Sequence, residues 1–146
     1  DEKAAMDALS KAPAKLVPEG YEQARRIEGG VLRGMKFDQS RLEAKAGERV
    51  AIVLTNNDPD GLMHNLAVIR PGTRQQVLEA TIALGARAIE KNFIPDVAAV
   101  LGSTPQLAPG RRFTLYLTLP EAAGDYEFVC TYPGHGQLMW GTLVVK

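Results

Sequence analysis

Cysteine and histidine are scarce in this chain, with one Cys and two His among 146 residues. A single cysteine forms no intramolecular disulfide, so the redox compartment is not legible from cysteine pairing. Charge of one sign is lacking too: 17 Lys and Arg offset 17 Asp and Glu. That balance sets up no strong field to draw nucleic acid or an anionic membrane. No run of about 18 apolar residues is present, which argues against a membrane-spanning helix. Internal repeats and low-complexity stretches are missing as well. What remains is an ordinary globular composition, 45% hydrophobic and 23% charged, at a length that buries a core as one domain. The chain begins at Asp1 without an initiator Met or a signal-peptide pattern. Two readings stay open, a mature exported protein and a piece of a longer one.

Residues 1–20 are rich in Ala, Lys and Glu and are broken by Pro13 and Pro18. They read as a tail or linker that tethers the domain or joins it to a larger protein, with the domain itself at residues 21–146. From Tyr21 the pattern turns to strands. Val31–Phe37 is predicted as one strand with a bulge at Gly34. Leu42–Ala46 runs into a turn at Gly47. Val50–Thr55 is a continuous apolar, β-branched run suited to a buried strand. Asn56-Asn-Asp-Pro-Asp-Gly61 stacks turn-formers into a loop, and Leu66–Ile69 is the next strand. Thr73–Glu90 breaks the β pattern. Thr73 and Gln76 fit a capping box, with Val77, Thr81, Leu84 and Ala88 on one helical stripe. Gly85 bends or ends that helix. Phe93–Leu101 is ambiguous. Arg112–Leu119, Tyr126–Cys130 and Gly141–Val145 complete the strands. Short strands with turn punctuation and one helical insert predict an all-β sandwich carrying a helical flap.

The chemistry concentrates in Cys130-Thr-Tyr-Pro-Gly-His135-Gly-Gln-Leu-Met139-Trp140. Pro133-Gly134 forces a tight loop that brings Cys130 and His135 to one side. Thiolate, imidazole and thioether make a soft donor set suited to copper cycling between Cu(I) and Cu(II). The other histidine, His64, sits where a loop enters a strand and completes a trigonal His₂Cys set with a weak Met. A lone cysteine is ordinarily a small buried hydrophobe, and His64 or Met139 alone would carry no more meaning. A Cys–His nucleophile would need an orienting third group and an oxyanion hole, and no cysteine-protease signature surrounds Cys130. Structural zinc usually takes more cysteines and no thioether.

The stretch Gly124-Asp-Tyr-Glu-Phe-Val-Cys130 through Val145 resembles the copper loop of azurin- and auracyanin-type cupredoxins, and Cys-x₄-His-x₃-Met is azurin's spacing. Met63-His64-Asn65 resembles the family's upstream histidine motif, and Met35–Asn56 its opening strands. The resemblance covers about residues 30–146. It implies a Greek-key β-sandwich of about eight strands, the cupredoxin fold, with a helical flap inserted between strands. It also implies one type 1 copper, with His64, Cys130 and His135 as equatorial ligands and Met139 as the axial one. Asn65 is implied to tie the two ligand loops together. Three departures stand out: the azurin disulfide is impossible here, Met63 replaces a glycine whose carbonyl approaches copper, and Trp140 replaces a lysine after the axial Met. Trp140 either covers the site or serves a partner contact.

The expected function is therefore single-electron transfer between redox partners, such as a cytochrome or a copper enzyme, in a periplasmic or otherwise extracytoplasmic place. His135 is the expected exit point, with Gly136, Gln137 and Leu138 as a docking patch. Once His64 and His135 are used, no histidine is left for the further copper of an oxidase or nitrite reductase, so the chain alone is not expected to be such an enzyme. A copper carrier or delivery module, and the electron-entry domain of a larger redox protein, are the competing readings.

Overall fold

The apolar run after Arg49 owes its character to burial on both faces. In a computed structural model describing residues 17–146, Arg49–Thr55 (β5) is the middle strand of a three-stranded sheet. It lies between Arg25–Gly29 (β1), parallel to it, and Arg112–Thr118 (β8), antiparallel. The second sheet has five strands: Arg41–Ala44 (β4), Trp140–Val145 (β10), Gly124–Val129 (β9), Ala67–Ile69 (β6) and Val100–Ser103 (β7), in that order. Val50, Ile52, Leu54 and Leu115 of the first sheet share one buried core with Val68, Tyr126, Phe128, Leu143 and Val145 of the second. Two sheets facing each other over an alternating apolar layer make a β-sandwich.

The five-stranded sheet is covered on its other face too, which explains why β6 is apolar throughout instead of alternating. Ala67, Ile69 and Val129 turn away from the sandwich core and pack with Val77 and Leu78 of the helix Arg74–Ala83 (α1). Val77, Thr81 and Ala88 of the expected stripe are buried, and Leu84 is half-buried. Gly85 ends the helix as its composition suggested, opening a single 3₁₀ turn over Gly85–Arg87 at φ 55°. The capping box does not form. Thr73 precedes the helix with no side-chain cap, and its hydroxyl instead donates to the Arg70 carbonyl at 2.7 Å.

Two other expectations are corrected. Val31–Phe37 is not one bulged strand but a hairpin of Val31–Leu32 (β2) and Lys36–Phe37 (β3). Gly34 at φ 86° and Met35 at φ 58° reverse the chain between them. The strand β1, Arg-Arg-Ile-Glu-Gly, escaped notice because only Ile27 in it is buried. Residues 1–16, most of the expected tail, lie outside the described residues. Tyr21 already packs on the domain, with its hydroxyl 2.6 Å from Thr118 Oγ1 and its ring against Tyr116.

Gly141 on β10 stands directly opposite Phe128 on β9, and a Cβ there would collide with the Phe128 ring. That ring is 2% exposed and meets Phe37 edge-on at 5.2 Å, so it has little room to give. Gly141→Ala is expected to lower unfolding stability by about 1–3 kcal/mol in urea denaturation; an unchanged midpoint would mean the ring yields freely.

Candidate metal centre

The register of three neighbouring strands sets up the site. Ala67 of β6 pairs with Val129 of β9, and Val129 pairs with Trp140 of β10. One step further along, Cys130 faces Leu66 on one side and Met139 on the other, and its N–H donates to the Met139 carbonyl at 3.0 Å. Cys130 is thus the first residue past β9 rather than its last member. Two steps along, Asn65 meets Thr131. Here the Asn65 side chain takes over the pairing, accepting the Thr131 N–H at 2.7 Å and donating to Thr131 Oγ1 at 2.9 Å. Asn65 therefore ties the two loops together, as the resemblance implied.

His64 is held from the other side. Its backbone exchanges hydrogen bonds with Leu107 at 3.2 and 2.8 Å, while its ring is fully buried. His135 is placed by the turn that follows Cys130: its N–H donates to the Tyr132 carbonyl at 3.0 Å, and its carbonyl accepts the Met139 N–H at 2.9 Å. Gly136 is obligatory in this turn, since a Cβ would strike the Leu78 side chain and lie 2.8 Å from the Cys130 carbonyl. The Tyr132 ring lies against the His135 ring, tilted at 37° with centroids 4.7 Å apart.

The outcome is a convergence of three of the four expected donors. Ligand atoms of His64, Cys130 and His135 all lie within 4.8 Å of one another, and all three residues are buried. Nδ1 of His64 is 3.9 Å and Nδ1 of His135 is 3.7 Å from Cys130 Sγ. Met139 is fully buried in the same core cluster as Cys130. Among the described residues no other group of three or more His, Cys, Asp or Glu side chains converges in this way. A thiol and two imidazole nitrogens converging out of solvent, beside a buried thioether, fit a thiophilic ion such as copper.

Burial decides the protonation of the metal-free site. It raises the Cys130 thiol from an ordinary 9.0 to about 11, against weaker lowering by the Asn65 and Tyr132 backbones. Burial lowers His135, as does the neighbouring His64, with Asp58 pulling the other way. His135 is thus held in the neutral form that binds metal, whereas Cys130 must give up its proton on binding. Burial also works to raise Asp58. Hydrogen bonds with His64 and with the Asp60 and Leu62 backbones outweigh it and leave the carboxyl below its ordinary value.

One surface expectation is corrected and one left open is now described. Gly136, expected to be exposed with Gln137 and Leu138, is buried under Leu78, whereas Pro133, Gly134, Gln137 and Leu138 of the same loop are exposed. Trp140 is 38% exposed, and its ring lies under the Arg74 guanidinium at 4.2 Å. Arg74 also donates to the Gly136 carbonyl at 3.3 Å, so the start of α1 is strapped to the loop. Sequence reasoning overlooked Asn56 and Asp58. Asn56, fully buried, donates to the Leu62 and Leu107 carbonyls at 2.9 and 2.7 Å. Asp58 Oδ2 lies 2.6 Å from His64 Nε2. The only signal for either residue was the turn-forming run 56–61, which predicts a loop and no more.

Residues 25–146 match the profile of the family described as copper binding proteins, plastocyanin/azurin family. The chain belongs to this family. This cupredoxin is 32% identical to auracyanin-A of Chloroflexus aurantiacus over 77% of its length and 68% of the relative's. It is 31% identical to outer membrane protein H.8 of Neisseria gonorrhoeae over 76% of its length, spanning 62% of that relative. Among solved structures, a dithionite-reduced auracyanin from Roseiflexus castenholzii superposes with a TM-score of 0.74 at 26% identity, covering 84% of this chain and 98% of that one. The all-β sandwich with its helical flap is the cupredoxin fold.

The Cys130 shift gives a pH test on the copper-free cupredoxin. The fold favours the neutral thiol, so its contribution is complete below the unfolded value of 9.0 and is lost as pH climbs toward 11. Between about pH 8 and about pH 10.5, the copper-free protein is expected to lose about 2 kcal/mol more unfolding stability than its Cys130→Ser variant. Parallel stability curves from urea titrations would show that the thiol is not shielded from solvent in the folded protein.

Proposed function

We propose that this cupredoxin is a type 1 copper electron-transfer protein, with His64, Cys130 and His135 as equatorial ligands and Met139 as the axial one. The observation that carries this reading is the convergence of Cys130 Sγ with an imidazole nitrogen of both histidines, within 4.8 Å and out of solvent. Copper bound there supplies a one-electron Cu(I)/Cu(II) couple. The chain's own residues supply the rest. Cys130 gives a thiolate, the histidines give neutral nitrogens, and the Met139 thioether is a weak fourth donor. Each donor's backbone is pinned to a neighbouring strand or loop, so the donors hold their places whichever oxidation state they serve. Small rearrangement favours fast transfer.

His64 has no exposure, while His135 retains 7%. His135 is therefore the outlet, set among Pro133, Gly134, Gln137 and Leu138. With a formal net charge of zero, partners dock by this weakly polar patch more than by long-range steering. Those partners are redox proteins, a cytochrome or a copper enzyme, in an extracytoplasmic compartment. No helix among the described residues is long and apolar enough to cross a membrane. Residues 21–146 form the copper domain, behind a tail or linker at residues 1–20.

Cys130→Ser is expected to remove the intense thiolate–copper absorption; a surviving band would exclude Cys130 as ligand. Met139→Leu is expected to keep copper and raise the reduction potential, because a weak donor to the oxidised ion is lost. A metal-free or unshifted Leu variant contradicts the axial role. A reversible one-electron wave in voltammetry with copper retained in both states separates electron transfer from delivery. Loss of the reduced ion to a mild chelator would favour a carrier.

A further inference from the structure

Asp58 occupies a turn between two asparagines and a proline–aspartate pair, a setting in which a carboxylate normally faces water. Here its side chain is fully buried, as is the His64 side chain that it meets at 2.6 Å. The carboxylate's second oxygen, Oδ1, accepts the Asp60 N–H at 2.8 Å. Its backbone N–H donates to Asn56 Oδ1 at 3.1 Å, and Asn56 is itself anchored to the Leu62 and Leu107 carbonyls. Leu107 is the residue that pairs with the His64 backbone. The carboxylate, the imidazole and the loop that carries both are therefore one hydrogen-bonded unit. An unpaired carboxylate would be expensive to bury here, and the pairing with His64 on one oxygen together with the Asp60 N–H on the other makes the arrangement tenable.

We propose that Asp58 is a positioning residue for His64, fixing the imidazole in the form whose Nδ1 lone pair faces Cys130 and His135 and lowering the reduction potential of the site. An ionised carboxylate only accepts hydrogen bonds, so the proton must lie on Nε2. In the neutral ring that leaves Nδ1 bare, on the edge directed to Cys130 Sγ at 3.9 Å. A carboxylate on the far nitrogen also raises the basicity of the ligating one and holds the ring's orientation. A buried negative charge next to the ligand set favours the more positive oxidation state, and in a poorly solvated site that preference is weakly screened.

The inference rests on the copper reading above, and its test separates the two. In the copper-free wild-type protein, nitrogen-15 NMR above the ordinary imidazole range is expected to show His64 as a single tautomer with a slowly exchanging Nε2 proton. An Nδ1–H form, or an even mixture, would overturn the positioning role whether or not the protein takes up copper. In the copper-loaded protein, Asp58→Asn is expected to shift the oxidised-to-reduced ratio at fixed solution potential at least tenfold toward the reduced form. For one electron that is an upward shift of about 59 mV. A blue, fully loaded Asn variant with the wild-type potential would refute the electrostatic part while leaving the copper site standing. Where the Asn variant does not fold, the wild-type spectrum still decides the positioning role.

Discussion

The site depends on the register between β6, β9 and β10. Because Ala67, Val129 and Trp140 lie side by side, the residues one step past them, Leu66, Cys130 and Met139, fall into line at the sheet's end. Asn65 then bonds Thr131 and keeps His64 next to Cys130. A slip of one residue would turn every side chain on β9 to the opposite face. Phe128 would leave the sandwich core and Cys130 would leave the pocket. The same burial that stabilises the sandwich therefore also enforces the placement of these side chains. His135 alone needs a separate device, the tight turn closed at Tyr132 and Met139.

Around these donors lies a layer of buried polar groups, each satisfied by a specific partner. Asn65 fastens the two ligand loops, Asn56 fastens the His64 loop to Leu107, and Asp58 takes up the far side of the His64 ring. Polar groups with so little exposure are costly unless bonded. Their presence at this end of the sandwich, where the rest of the core is apolar, marks the place where the fold gives up simple packing to hold a ligand set. On the outer side Arg74 clamps the loop through Trp140 and Gly136. The single helix of the flap thus braces the site as well as covering the sheet.

Much of this was legible in the sequence. The spacing from Cys130 to His135 to Met139, the punctuation at Pro133-Gly134 and the upstream His64-Asn65 pair encode local geometry and are read directly. The apolar run in β5 and the continuous apolar character of β6 reflect burial on two faces. Other features are not local. β1 has one buried residue, Ile27, and so no period to detect. The 31–37 segment becomes a hairpin because Gly34 and Met35 take positive φ, which a bulge assignment does not anticipate. Asp58 and Asn56 look like ordinary turn residues, since their partners at His64, Leu62 and Leu107 are brought near only by the folded loop.

The most direct test of the copper reading is the visible and electron paramagnetic resonance spectrum of the purified protein with Cu(II), before and after ascorbate. An intense blue band with narrow copper hyperfine splitting, bleached by ascorbate and restored on reoxidation, is the expected result. A pale spectrum with ordinary wide splitting, or no uptake at all, would contradict it and mean that the thiolate and imidazoles do not close on copper.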